Sequence, residues 1–329
     1  MVSKRILVIQ TAFIGDAILA TSLLETLHAG LPDARIDLLV RKGNESLFTD
    51  HPFLGEVLIW DKKGGKYRNL MKLLRHIRRQ AYDYVINLQR YGATGFLTAF
   101  SGAGETIGFD KNPLSFLFTH RYPHEFADGI HEIDRNYRLL ETVTEAPLRK
   151  PRIYPGRHDF TSISSLQSRP YYCIAPTSVW FTKQLPPEQW AKLIRLLPQG
   201  HTIYLLGAAG DSETAESLRQ ASNPERVVNL CGKLSLLGSA ALMKGAVMNY
   251  VNDSAPMHLC SAMDAPVCAV YCSTVPEFGY GPLSSDSFIA QVSHPLACRP
   301  CGIHGFRACP KGHFACAMEI DMAGIARLA

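Results

Sequence analysis

Twice along its length the chain passes through a series of short apolar segments separated by stretches of helical periodicity, and this alternation limits the fold more than any other feature. Residues 5–10, 36–40, 57–60, 84–87 and 106–108 read as strands, with helices expected over 16–29, 66–80, 93–101 and, longer, 131–144. Strands that alternate with helices pair in parallel and are covered on both faces. The stretch EAPLRKPRIYPGRHDF, rich in Pro and basic residues and without periodicity, then reads as a linker. Beyond it the alternation restarts, with strands at 171–175, 202–206, 227–229, 246–251 and 267–271 and helices at 187–197, 212–221, 235–244 and 256–263. The expected fold class is α/β: two Rossmann-like doubly wound domains, residues 1–155 and 156–329. Ligands of such sheets bind at the strand carboxyl ends, here expected to face a central cleft.

With 47% hydrophobic and 19% charged residues the chain is able to bury ordinary cores. No uncharged apolar stretch approaches the about 18 residues of a spanning helix, and MVSKRILVIQ enters a strand-like run directly instead of a signal peptide, so a cytoplasmic protein is expected. The net charge of +5 is unevenly spread: eight basic residues and no acid lie between Lys62 and Arg79, which leaves the remainder slightly acidic. Within that segment Leu70, Met71, Leu73, Leu74 and Ile77 recur at helical spacing. One reading is a core-facing stripe with a solvated outer face. Another is a surface that meets an anionic membrane or a phosphorylated acceptor, with Lys62, Lys63, Lys66 and Arg68 as acceptor-binding candidates. A nucleic-acid partner is not expected, since Tyr67 is the one aromatic residue there and no recognition motif is present.

Directly after the first strand comes TAFIGDAIL. It is not a G-x-G-x-x-G fingerprint, and a carboxylate at this helix start would repel a phosphate. Asp16 therefore reads either as a helix cap or as a general base acting on a hydroxyl. At the start of the second half APTSVWFTKQLPPEQW repeats the strand-loop-helix layout, with hydroxyls at Thr177 and Ser178, a cation at Lys183, and Pro186-Pro187 opening a helix. In VNDSAPMHLC, Asp253 and Ser254 are candidate N-caps and Pro256 is preset for a first helical turn, so the helix start is a natural anion site. These donors and the lysine together suit a diphosphate. Asp253 itself would cap the helix or accept hydrogen bonds from sugar hydroxyls, and His258 is either a site residue or a packing residue. Gly207 and Gly210 in LLGAAGDSETAESL are compatible with a backbone that approaches a ligand.

Five of the nine cysteines, Cys173, Cys231, Cys260, Cys268 and Cys272, are scattered through apolar segments as small buried hydrophobes. Cys298, Cys301, Cys309 and Cys316 follow a C-x2-C-x7-C-x6-C pattern, with His304 and His313 as substitutes. In a reducing compartment this suggests either a structural metal clip or a compact thiol-rich loop without metal.

The stretches TAFIGDAIL, HEIDRNYRLLE, TSVWFTKQLPPEQWAKLI, LCGKLSLLGSAALMKGAVMNYVNDSAPMHLCSA and CRPCGIHGFRACPKGHFAC together resemble glycosyltransferase family 9, the ADP-heptose:lipopolysaccharide heptosyltransferases, nearest the heptosyltransferase II branch. The resemblance implies the GT-B fold and an inverting transfer of heptose from ADP-heptose to the lipopolysaccharide inner core at the membrane surface, with no cofactor required for catalysis. It implies Asp16 as the base, Lys183 on the diphosphate, and Asp253, Ser254 and His258 on the sugar nucleotide. Ala255 stands where the family has Gly, and Leu185 where it has Trp. Alternatives are a family 9 transferase using another nucleotide sugar or a protein acceptor, and a non-catalytic nucleotide-sugar-binding protein.

Overall fold

Parallel pairing of short apolar strands builds a six-stranded sheet in each half of the chain in the computed structural model, which describes residues 3–63, 65–125 and 129–328. The halves are compact units divided between Tyr154 and Pro155. The first contains β1 (Arg5–Gln10), α1 (Ile14–Gly30), β2 (Arg35–Arg41), β3 (Leu54–Trp60), α2 (Lys66–Gln80), β4 (Tyr84–Asn87), α3 (Gly92–Ala99), β5 (Glu105–Phe109), β6 (His120–Tyr122) and α4 (Glu132–Tyr137). Its strand order is β3-β2-β1-β4-β5-β6, all parallel. The second contains α5 (Arg157–Ser162), β7 (Tyr171–Ala175), α6 (Pro187–Leu196), β8 (Thr202–Leu205), α7 (Ser212–Ser222), β9 (Val227–Asn229), α8 (Leu236–Lys244), β10 (Met248–Asn252), α9 (Ala255–Met263), β11 (Val267–Val270), β12 (Ser287–Ala290), α10 (Ala315–Met318) and α11 (Met322–Ala326). Its order, β12-β11-β10-β7-β8-β9, is the same doubly wound arrangement. Each sheet reverses its winding beside its own first strand, between β1 and β4 and between β7 and β10. The loops leaving those strands carry TAFIGD in one unit and APTS with NDSAP in the other.

Central strands β1, β7 and β10 are buried almost throughout, which is why they read as continuous apolar runs without alternation. Helix α1 is buried on most sides: the sheet covers one face and α4 packs on it from another direction. Along a third, the main chain of the expected linker is stitched to it. Arg149 N donates to Thr26 Oγ1 (3.0 Å), Arg152 N to Thr21 Oγ1 (2.9 Å), and Tyr154 Oη to Glu25 Oε1 (2.9 Å). The linker is thus a bound strap up to Tyr154, and its last residues enter α5, where Gly156 N donates to Asp159 Oδ2 at 2.9 Å. Helix α2 contrasts with α1. It buries Leu70, Leu74 and Ile77 against Leu7, Leu39 and Trp60 and leaves Met71 and its basic residues outside.

Other expectations are corrected. The helix expected over 131–144 stops at Tyr137 and continues only as a 3₁₀ turn, Arg138–Leu140. Beyond it Val143 and Thr144 are β-branched, and Thr144 Oγ1 accepts from Ala146 N (3.2 Å) in a turn. Strands β6 and β12 were not expected. Both are short edge strands, and a strand paired on one side needs no apolar run.

Candidate active site

In the first unit Asp16 is the third residue of α1, not its cap; that position belongs to Phe13. The main-chain amides of Asp16 and Phe13 lie against its carboxylate, the reach-back half of a capping box. Burial and, next, the charge of Glu132 overcome these amides and Arg90, and push the carboxyl up to about 6. Glu132 begins α4, which packs on α1, and is locked by Arg135 in a buried pair with Nη2···Oε2 of 2.8 Å and Nε···Oε2 of 2.9 Å. Arg135 Nη1 also donates to Ile130 O (2.6 Å). The loop ahead of Asp16 is held by Ala12 N to Gln10 Oε1 (3.2 Å), Asn44 Nδ2 to Ala12 O (3.2 Å), and Lys62 Nζ to Thr11 O (2.8 Å) and Thr11 Oγ1 (3.2 Å).

That last contact changes the reading of the basic segment. Lys62 lies over the Trp60 ring and braces the Asp16 loop. Lys63, Lys66 and Arg68 are exposed at and before the start of α2. A groove of about 730 Å³ runs along α2 between Lys72, Arg75 and Arg79 and the edge strand β3.

In the second unit the structure brings Lys183 and Asp253 together, and this partner was not expected for either. Lys183 ends a 3₁₀ turn, Phe181–Lys183, and its Nζ stands 2.5 Å from Asp253 Oδ2, with both side chains largely buried. The same oxygen accepts from Thr274 Oγ1 at 2.7 Å. Asp253 therefore does not cap α9: Ser254 is the N-cap and makes no side-chain cap bond, Pro256 has no N–H and Met257 N donates to Ser254 O at 3.0 Å, so the first turn offers at most the Ala255 N–H to another partner. Ala255 takes up the first helical position without a left-handed backbone, and His258 is buried in α9. Thr177 and Ser178 are half-buried after β7. Their main chain is tied down by Asn252 Nδ2 to Thr177 O (3.4 Å) and Gln184 Nε2 to Ser178 O (2.6 Å). Asn252 also accepts from Leu185 N (2.9 Å), joining both loops at the switch point. Leu185, in the Trp position of the resemblance, is buried in the core. Asn252, Thr274, Glu132 and Arg135 were missed as site residues, although HEIDRNYRLLE already marked the last pair's segment.

Cys298, Cys301, Cys309, Cys316 and His313 line one cavity of about 280 Å³, and His304 is exposed. Burial pushes Cys316 up to about 11. Cys301 Sγ turns to Cys298 O (3.2 Å), and Cys298 Sγ lies 3.9 Å from His313 Nε2. Among the described residues no group of three or more His, Cys, Asp or Glu side chains is arranged to hold a metal ion.

A family model described as glycosyltransferase family 9 (heptosyltransferase) matches residues 70–302. Lipopolysaccharide heptosyltransferase 1 of Pseudomonas aeruginosa is 25% identical over 316 residues, 90% of this chain and 86% of that protein. Lipopolysaccharide heptosyltransferase 2 of Escherichia coli K12 is 24% identical over 296 residues, 83% and 84%. The solved structure of E. coli ADP-heptose lipopolysaccharide heptosyltransferase II superposes with a TM-score of 0.81 at 22% identity, covering 98% of this chain and 97% of that one. E. coli heptosyltransferase WaaC with ADP-2-deoxy-2-fluoro heptose gives 0.72 at 21%, covering 88% and 93%. At such identities these structures speak for the fold, the expected pair of doubly wound α/β sheets. With the family model spanning most of its length, this chain belongs to glycosyltransferase family 9.

Proposed function

We propose that the protein transfers heptose from ADP-heptose to the inner core of lipopolysaccharide, inverting the anomeric centre and using no metal ion at the reacting atoms. The observation that carries this reading is Asp16, a carboxylate raised to about 6 at the carboxyl edge of its sheet. Such a group is ionised at neutral pH yet basic enough to take a hydroxyl proton in the transition state. The family match begins at residue 70, so the role of Asp16 rests on its position and surroundings. The acceptor hydroxyl attacks the anomeric carbon as Asp16 removes its proton, and the bond from that carbon to the ADP oxygen breaks through an oxocarbenium-like state. ADP leaves as an anion, met by Lys183, the Ser178 hydroxyl and the N-terminal end of α9. Asp253, Ser254 and His258 belong to the same donor site.

The exposed basic face of α2, including Lys66 and Arg68, together with Lys63 just ahead of it, receives the phosphorylated acceptor at the inner face of the membrane. No helix among the described residues is long and apolar enough to cross a membrane, and the proposed attachment is peripheral. A structural ion at Cys298, Cys301, Cys309 and Cys316 is a separate part of the proposal, supported by their shared cavity; elemental analysis of the purified protein tests it.

The experiment for the reaction is acceptor-dependent ADP release from ADP-heptose, with heptose-deficient lipopolysaccharide and EDTA present, for the wild type and Asp16→Asn. Release by the wild type that falls by about 10²–10⁴-fold in the variant is the expected result. Full turnover in Asp16→Asn removes the base, and a wild type silenced by EDTA removes metal independence.

A further inference from the structure

Between Cys298 and Phe306 the Cys-rich segment makes contacts that its thiols do not account for. Arg299 donates from Nε to Cys272 O (2.7 Å) and from Nη2 to Thr274 O (2.7 Å), Gln291 Oε1 (2.7 Å) and Tyr271 O (3.4 Å). It thereby satisfies the carbonyls of the buried stretch 271–274, which prolongs β11 past its carboxyl end. Cys301 N donates to Ser273 O at 2.8 Å. On the other side, Phe306 N donates to Thr182 Oγ1 (2.7 Å) and Thr182 N to Phe306 O (3.1 Å). Ser273 closes the circuit, with Oγ to Thr182 Oγ1 at 3.0 Å and N to Thr182 O at 3.2 Å.

Gly305 lies between these anchors with φ +74°, where a Cβ would meet Thr182 Oγ1 at 2.8 Å and Lys183 Cγ at 3.2 Å. Only glycine lets the segment lie this close to the lysine stem. One segment thus touches the residue before Lys183 and the main chain of Thr274, and leaves no room for a side chain at Gly305 beside the stem of Lys183. Lys183 and Thr274 are the two groups that meet on Asp253 Oδ2.

We infer that Arg299 and Gly305 are positioning residues for the donor diphosphate: the segment they belong to fixes the Thr182 and Thr274 main chains and so fixes where the Lys183 ammonium stands against Asp253. This rests on the reading of Lys183 as a diphosphate ligand. An ammonium has three N–H donors, so one shared with Asp253 is aimed by that carboxylate and keeps donors for phosphate oxygens. A lysine on a free four-carbon stem would lose rotamer freedom on binding ADP, and a pre-set one loses less. Arg299 cannot be replaced by lysine here, because its partners spread around a planar fork.

The test is ADP binding by titration calorimetry for the wild type, Arg299→Lys, Gly305→Ala, Lys183→Met and each of the first two combined with Lys183→Met, with a melting curve for every protein. Arg299→Lys and Gly305→Ala are each expected to weaken ADP about tenfold, and to add nothing once Lys183 is methionine. A merely structural role gives additive losses, and additive losses overturn the inference. So does unchanged affinity in Arg299→Lys and Gly305→Ala beside a loss in Lys183→Met. Unchanged affinity in Lys183→Met overturns the donor-site reading itself, and this inference with it. Should Arg299→Lys melt early, the Gly305→Ala arm decides alone.

Discussion

Asp16 owes its chemistry to forces that local sequence separates only in part. Its place in the first turn of a helix gives it amides that favour the charged form, and this is legible from TAFIGDAIL. The burial that outweighs them needs the folded unit, and the Glu132 charge that adds to it comes from a helix more than a hundred residues away in the chain. Since the folded carboxyl binds its proton more tightly than the unfolded one, its contribution to stability is present below about 3.8 and lost as pH rises through about 6. Asp16→Asn is therefore expected to raise stability at neutral pH by up to about 3 kcal/mol, read by denaturant melts, while it removes turnover. Glu132→Gln keeps an acceptor for Arg135 but deletes the charge, so the acid limb of kcat/KM, expected near pH 6, should move to lower pH. An unmoved limb would separate Glu132 from the base. Asp253 teaches the complementary lesson. Its partners Lys183 and Thr274 lie far from it in sequence, and a helix-start motif reads naturally as a cap until the fold supplies a cation.

Elements were legible where burial pattern and length agree. The bounds of α2 follow from an apolar stripe on a basic background, because only one face meets the sheet. Edge strands β6 and β12 lack that signal, since exposed positions on an edge tolerate Arg121, Ser287 and Phe288 alike. The strap along α1 was read as a linker for a similar reason. Its order comes from hydrogen bonds to Thr21 and Thr26, which leave no period in its own sequence. The exposed face of α2 yields a prediction at this scale. Lys66, Arg68 and Lys72 are solvent-facing and outside the core contacts, so replacing all three with Gln should leave the helix intact by circular dichroism. Each basic residue near an anionic surface adds about 1 kcal/mol, so partitioning to phosphatidylglycerol-rich vesicles should weaken about 100-fold, and salt should weaken the wild type similarly. Equal sedimentation of both proteins with vesicles would take α2 away from the membrane.

The molecule repeats one winding twice, and each copy places a different chemistry at its reversal point. In the first unit that point offers a carboxylate of raised proton affinity; in the second it offers a lysine, a carboxylate and a helix start. Each unit also has its own core, one around Leu7, Leu39 and Trp60, the other around Tyr172, Trp190 and Tyr250. A nucleotide diphosphate carries negative charge and should therefore choose the second unit, since Asp16 repels it from the first. At a concentration of ADP one hundred times its dissociation constant the bound unit gains about 2.7 kcal/mol. Hydrogen–deuterium exchange can say where that gain falls. Slower exchange is expected in peptides covering 176–186, 252–263 and 271–274, with no change in the peptide containing Asp16. Lys183→Met should cancel the protection. The same experiment with UDP sets the base preference, because the diphosphate contacts are common to both nucleotides and only ring contacts can make them differ. Protection centred on the TAFIGD loop would instead put the nucleotide on the first sheet, and the division of labour between the two reversal points would have to be exchanged.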